Sequence, residues 1–108
     1  MERLEERNEM SETPLIREAA DGNTRNVHLL LEAGASIEAK QENVIGFTAL
    51  NQAAYLGHKP IVKLLLCFGA QVDCIDGYGG MPLVAAALNG KFECVQVFIQ
   101  GGASMDDK

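Results

Sequence analysis

Three ten-residue segments repeat one pattern, and this repetition constrains the fold more than any other feature of the chain. The segments, each ending in Gly, are TPLIREAADG (13–22), TALNQAAYLG (48–57) and MPLVAAALNG (81–90). Their closing Gly residues are 35 and 33 positions apart (22 to 57, 57 to 90), and a second Gly series at 34, 69 and 102 takes the same two steps. Two markers that step together indicate a duplicated unit, and this period is typical of a solenoid.

Each unit is predicted to contain two short helices. The first begins after a capping Thr13 or Thr48, has Pro14 or Pro82 at its first position in two units, and ends at the first Gly series. The second shows adjacent apolar positions that recur one turn later, a helical period, and ends at the second Gly series. The members of this stripe are Asn26, Val27, Leu30 and Leu31; Ile61, Val62, Leu65 and Leu66; Cys94, Val95, Phe98 and Ile99.

Length and composition narrow the class of protein. The chain has 108 residues, enough for one domain, and a formal charge of −6 without any run of Lys or Arg, which argues against binding to nucleic acid. The longest apolar run, LLLCFGA (64–70), is far too short to span a membrane, so no membrane insertion is expected. The three Cys show no paired spacing, and MERLEERNEM (1–10) has no apolar segment of a secretory signal. These features favour reduced thiols and an intracellular protein, cytoplasmic, nuclear or both.

Candidates for catalytic chemistry are few. His28 and His58 lie in different units, and the expected roles are a surface residue for His28 and support between helices for His58. GYGG (77–80) lacks the Lys-Ser or Lys-Thr of a phosphate-binding loop and is interpreted as a hairpin turn. No cofactor, metal site or catalytic residue is predicted, and an enzyme remains only a remote alternative.

The repeated segments are similar to those of a known family. TPLIREAADG, GFTALNQAAYLGHKPIVKLLLCFGAQVD and GGMPLVAAALNGKFECVQVFIQGGAS resemble ankyrin repeats. The resemblance implies an all-α solenoid of stacked helix-turn-helix units with hairpin-like loops. The predicted boundaries are a charged capping helix over 1–10, with Leu4 and Met10 facing inward, and repeats over 11–43, 44–77 and 78–108.

Departures from the family pattern are informative. Ile16, Asn51 and Val84 replace the family's His, so its hydrogen-bond network is expected to be absent from all three units. Met81 replaces the capping Thr and cannot cap its helix. The loop AKQENVIG (39–46) is two residues longer than the family's turn. Glu18 and Asn26 place polar residues at usually apolar positions, as suits the outer face of a terminal repeat.

The resemblance also implies the function, a non-catalytic module that binds a protein partner of unknown identity as an adaptor, scaffold or inhibitor. Partner contacts in the family come from the hairpin tips and the inner face of the first helix. Transferred by position, the predicted partner-binding residues are Lys40, Asn43, Val44, Ile45, Phe47, Tyr55, Leu56, Ile75, Tyr78, Leu88 and Asn89. The alternative is a fragment or splice form of a longer array, which stacks on further repeats or self-associates through an open C-terminal face.

Overall fold

The computed structural model describes residues 4–73, 75, 77 and 80–106, with only the backbone described for 101–106. Within these residues the chain forms six helices and no strand. The helices are α1 (Pro14–Asp21), α2 (Thr24–Glu32), α3 (Ala49–Leu56), α4 (Lys59–Cys67), α5 (Pro82–Leu88) and α6 (Phe92–Asp106).

The helices stack in two layers. The first helices α1, α3 and α5 pack in one row, and the second helices α2, α4 and α6 pack in another, with each first helix against the second helix of its own unit. One core runs through all three units, and small Ala side chains such as Ala53 and Ala54, both fully buried, let neighbouring helices approach closely. This is the all-α solenoid of helix-turn-helix units that the repeats predict.

The caps of the first helices follow the sequence at both ends. Thr13 Oγ1 accepts a hydrogen bond from the Ile16 N–H, while Met81 makes no side-chain cap to α5. Gly22 and Gly57 close α1 and α3 with φ of 78° and 83°, a left-handed conformation that only Gly adopts at low cost. The predicted capping residues and glycine termini are therefore confirmed.

One expectation about the middle unit is wrong. Asn51, which stands where the family has His, is fully buried and does form a hydrogen-bond network. Its Oδ1 accepts from the Thr48 N–H at 3.0 Å and from the Thr48 hydroxyl at 3.0 Å, and the Asn51 N–H donates to Thr48 Oγ1 at 3.1 Å. A carboxamide at the third helical position reaches back as Glu or Gln does in a capping box, so the network survives in this unit.

The last helix does not end where the Gly series predicts. Gly34 and Gly69, with φ of 96° and 91°, follow α2 and α4, but α6 continues through Gly102 to Asp106. The hairpin that follows α2 is hydrogen-bonded to the next unit, because the Gln71 N–H donates to Glu38 at 2.8 Å. At the equivalent position of the last unit the chain stays helical, so its backbone groups are bonded within α6 instead.

The described part of the predicted capping helix, residues 4–10, is not helical. Its chain forms turns around Asn8, whose Oδ1 accepts from the N–H groups of Met10 and Glu12 at 2.9 and 3.0 Å. Such side-chain bonds to the local backbone compete with a helix. Met10 is 56% exposed rather than packed inward. The segment instead lies along the hairpin loop, where Arg7 donates to the Lys40 carbonyl at 2.8 Å.

Two positions of the second-helix stripe are exposed, one at each end of the stack. Asn26 is exposed and donates to Glu18 Oε1 at 3.2 Å, so this predicted stripe member belongs to a polar outer face. Ile99 is 59% exposed, because no described residue packs over that side of α6. The other members of the stripe are buried or pack against the core, and the exposure of Asn26 agrees with the outer face expected for a terminal repeat.

His58 has the structural role that the sequence predicts. Its Nε2 lies 3.0 Å from the Ala20 carbonyl oxygen of the preceding unit, and its ring contacts Gly22 so closely that an added Cβ would lie 3.1 Å from Cε1. His28 is exposed, with Nε2 3.3 Å from Glu32 and its ring edge-on to Phe68. The prediction that His58 supports the junction between units is confirmed.

Candidate partner-binding surface

An open groove of about 640 Å³ lies where the first helices α3 and α5 meet the hairpin loops. We call it the first-helix groove. Its lining residues are Met10, Glu12, Gln41, Ile45, Phe47, Gln52, Tyr55, Gly80, Val84, Ala85, Leu88 and Asn89. Five of the predicted partner-binding residues meet here: Ile45, Phe47, Tyr55, Leu88 and Asn89.

An aromatic pair, Phe47 and Tyr55, lies in the groove. The rings of Phe47 and Tyr55 are 5.5 Å apart and inclined by 51°. Phe47 is 7% exposed, whereas Tyr55 is 42% exposed. Phe47 is therefore a buried support for Tyr55, and Tyr55 is the aromatic surface that a partner can reach.

Helical spacing places the apolar side chains of α5 in the same groove. Val84 and Leu88 are one turn apart, and they are 40% and 82% exposed. The Asn89 side chain donates from Nδ2 to the Tyr55 carbonyl oxygen at 2.8 Å, which ties the end of α5 to the end of α3. Two helices thus hold Tyr55 and Leu88 on a fixed frame.

The long hairpin loop closes one side of the groove through local hydrogen bonds. Asn43 Oδ1 accepts from the N–H groups of Ile45 and Gly46, at 3.0 and 3.2 Å, and so shapes the tip. The Gly77 N–H donates to the Ile45 carbonyl at 2.7 Å, and a Cβ on Gly77 would clash with the Val44 carbonyl oxygen. Glycine at 77 therefore permits the close contact between successive hairpins.

Several predicted residues lie outside the groove. Val44 and Ile75, at 82% and 51% exposure, are on the hairpin tips, and Leu56, at 40%, lies at the end of α3. Lys40 donates from Nζ to the Ile75 carbonyl at 3.1 Å, so it links two hairpins. Tyr78 falls outside the described residues.

Glu12 and Gly80 also occupy positions that the family uses for partner contacts, and sequence reasoning missed the other five lining residues: Met10, Gln41, Gln52, Val84 and Ala85. Val84 could have been found, because it precedes Leu88 by one helical turn. Gln52 and Ala85 occupy the same position of their repeats, which adjoins the Tyr55 and Leu88 position by the same rule. Met10 and Gln41 had no signal in the repeat pattern, because the N-terminal segment was expected to be a helix elsewhere.

The groove carries acceptors and no cation. Lys and Arg are absent from its described lining, and Glu12 supplies a carboxylate. Gln41 is 4% exposed, and its Nε2 donates to the Met10 carbonyl at 3.2 Å. The Oε1 atom of Gln41 has no hydrogen-bond partner among the described residues. The groove therefore suits a partner that presents apolar side chains and hydrogen-bond donors.

The described residues hold no arrangement typical of catalysis. His, Cys, Asp and Glu form no group there that could hold a metal ion. Burial raises the pKa of the Cys94 thiol above its ordinary value of 9.0, and the nearby Glu93 adds to this effect, so the thiolate is disfavoured. No described helix combines the length and the apolarity needed to cross a membrane.

Comparison with known proteins gives one consistent result. A family model described as "Ankyrin repeats (many copies)" matches residues 15–66 and 52–99. The chain is 46% identical to mouse "Ankyrin repeat and SAM domain-containing protein 6" over 74 residues, 67% of this chain and 8% of that protein. It is 40% identical to the rice "Probable E3 ubiquitin-protein ligase XBOS32" over 88 residues, 81% of this chain and 17% of that protein.

A further relative covers more of the chain. Mouse "Protein fem-1 homolog A-like" is 35% identical over 97 residues, which is 90% of this chain and 14% of that protein. The chain thus spans less than a fifth of the length of each of these relatives.

Proposed function

The chain belongs to the ankyrin repeat family, and from this premise we propose that it is a non-catalytic adaptor, scaffold or inhibitor that binds a protein partner in the first-helix groove. Ankyrin repeats are generally protein-interaction modules. The observation that carries the choice of surface is Tyr55 beside Leu88, two exposed apolar side chains on a rigid two-helix frame. Interfaces concentrate their binding energy in a few such anchors.

The chemistry of the groove supports a peptide-like partner. An apolar side chain of the partner would pack against Tyr55 and Leu88, while its N–H groups would face the acceptors. The Glu12 carboxylate in the lining can accept such hydrogen bonds from the partner. The free thiols Cys67 and Cys94 agree with the reducing, intracellular setting that we propose, in the cytoplasm or nucleus.

Comparative capture from a cell extract tests the proposed surface. The bait proteins are the wild type, a Tyr55→Ala/Leu88→Asp variant and a Phe92→Asp control, whose site is 72% exposed and outside the groove. We expect that at least one partner protein is captured equally by the wild type and the control and is not captured by the groove variant. With the purified partner, Tyr55→Ala should weaken binding by about tenfold or more while the melting temperature changes little.

Two results would contradict the proposed binding surface. If the groove variant and the control lose the same partners, the groove is not the binding surface. If Tyr55→Ala unfolds the chain, Tyr55 is a packing residue like Phe47 rather than an anchor.

A second candidate function, stacking within an array of repeats, is favoured by the C-terminal end face. Val84 and Ile99 are 40% and 59% exposed, whereas the matching Ile16 and Leu31 in the first unit are 1% and 7% exposed. We therefore also propose that this face packs on another repeat or on a second copy.

Sedimentation over a range of protein concentrations tests the proposed stacking through the C-terminal face. The average mass should rise for the wild type and stay monomeric for Ile99→Lys, and a wild type that is monomeric throughout would contradict it.

A further inference from the structure

A second cleft lies between the second helices α2 and α4, among residues that the partner-binding prediction does not include. We call it the basic cleft, and its volume is about 860 Å³. The residues that matter here are Arg25, His28, Lys59, Pro60, Lys63 and Leu64. The sequence shows no basic run because the three cations belong to successive units, and only the stacking of α2 against α4 brings them together.

The cations of this cleft carry no compensating charge. The ion pairs of the described residues are Arg7 with Glu42 and His28 with Glu32, and neither involves a Lys or Arg of the cleft. No acidic residue lines the cleft either. Lys59 and Lys63 are also one turn apart on α4, a spacing at which like charges destabilise a helix. An anionic ligand would relieve this repulsion.

The surroundings of the cations narrow the kind of anion. Leu64 and Pro60 give the cleft apolar surface, which a bare phosphate cannot use. Pro60 stands in the first turn of α4 and has no N–H, so the helix start lacks one of the donors that phosphate sites employ. The formal charge of −6 on the whole chain repels an extended polyanion such as RNA, whereas a short acidic peptide meets only the local positive field.

We propose that the basic cleft binds an acidic peptide segment of a protein partner. Carboxylates of the segment pair with Arg25, Lys59 and Lys63, and an apolar side chain of the segment packs on Leu64. The cleft is separate from the first-helix groove, because the two share no lining residue. The chain would then hold two partners, or two segments of one partner, on opposite helix layers.

Fluorescence polarisation with a labelled peptide of alternating Glu and Leu tests this site. Binding is measured at low and high salt for the wild type, Lys63→Glu and Arg17→Glu. Lys63 and Arg17 are both exposed, and the two variants change the net charge equally, but Arg17 lies outside the cleft. We expect Lys63→Glu to weaken binding about tenfold or more, Arg17→Glu to change it less than about twofold, and added salt to weaken the wild type.

Four results would overturn the proposal. They are equal loss in the two charge variants, no saturable binding of the peptide, tighter binding of a single-stranded RNA oligonucleotide of matched charge, and loss of binding on Leu88→Asp. The last would place the peptide in the first-helix groove. Because Leu88→Asp leaves the cleft intact, the two sites can fail independently.

Discussion

The two ends of the stack present opposite faces of the repeat and differ in chemistry. At the N-terminal end Glu18 accepts hydrogen bonds from Asn23 at 2.7 Å and Asn26 at 3.2 Å. At the C-terminal end Val84 and Ile99 are left exposed. The first end presents polar side chains. The second presents Val84 and Ile99, whose counterparts in unit one, Ile16 and Leu31, are 1% and 7% exposed.

This difference shows that individual positions of the repeat determine the polarity of each end face, while the fold stays the same. The site of Asn26 in unit one is held by Ile61 and Cys94 in the following units, at 0% and 1% exposure. At this position the polar residue is found where no described unit packs against it. A buried amide needs hydrogen-bond partners, which Asn51 finds in Thr48.

The largest expected effect comes from one truncation made at matching positions. Leu31, 7% exposed against the middle unit, and Ile99, 59% exposed at the end, are equivalent in the repeat. Leu31→Ala should lower the free energy of unfolding by about 2–5 kcal/mol, and Ile99→Ala by about 0.5 kcal/mol or less. Urea denaturation measures both, and equal losses would mean that the C-terminal face is covered.

A second expectation places the middle unit between the two ends. Amides of Ile61 to Leu66 should exchange with solvent at least about tenfold more slowly than those of Cys94 to Ile99, because the middle unit has neighbours on both sides. Native-state hydrogen exchange provides the comparison. Equal protection would show that the three units open as one, and the contrast between inner and outer units would not hold.

Two substitutions at helix caps, one in the middle unit and one in the last, should change the stability by smaller amounts and in opposite directions. Thr48→Ala removes the buried bonds to Asn51 and should cost about 1–2 kcal/mol. Met81→Ser supplies the cap that α5 lacks and should stabilise the chain by about 0.5–1 kcal/mol. Thermal unfolding of both variants measures the effects. No gain from Met81→Ser would mean that its neighbourhood cannot adopt the capping geometry.

The thiols offer a test of packing in the outer unit. Cys67 is exposed and Cys94 is buried, so a thiol reagent in native buffer should modify Cys67 first. Cys74, expected to be intermediate, lies outside the described residues. The variant Cys67→Ser/Cys74→Ser serves as the control, since it leaves Cys94 as the one thiol of the chain and should label only slowly. Rapid labelling at Cys94 in this variant would contradict the packing of α6 on α4.

The smallest expected effect is the pH dependence of stability from Cys94. Burial raises its folded pKa above 9.0, so above that pH the unfolded state loses a proton that the folded state keeps. The free energy of unfolding should fall with rising pH above 9.0 and should not depend on this thiol below it. The difference between wild type and Cys94→Ala, measured by urea titration at several pH values, isolates this contribution.

The repeat pattern predicted most of the fold because the features in it are determined by residues that are close together in the sequence. Capping by Thr13, helix termination at Gly22 and the buried pair Ile61 and Val62 each depend on a few neighbouring residues. The same reliance on local patterns made the helix prediction wrong for residues 4–10. Its alternating charges suggest a helix, but bonds from Asn8 to the local backbone and from Arg7 to a distant carbonyl outweigh that tendency.

The groove was only partly predictable, because its lining comes from segments that the repeat aligns imperfectly. Tyr55 and Leu88 followed from position alone. Gln41 lines the groove because the long loop folds back on itself, with its N–H donating to the Phe47 carbonyl at 3.0 Å. The basic cleft could not be found from sequence, since Arg25 and Lys63 become neighbours only when the units stack.

The contact between Val44 and Gly77 has a consequence for how such a chain can evolve. The loop of residues 39–46 is longer than its family's turn, and its tip occupies the space that a side chain at 77 would need. Lengthening the first hairpin and keeping glycine in the next are therefore linked, because this loop conformation leaves no room for a Cβ at 77. A descendant of this chain that gains a side chain at 77 is expected to carry a shorter or rearranged loop over 39–46 as well.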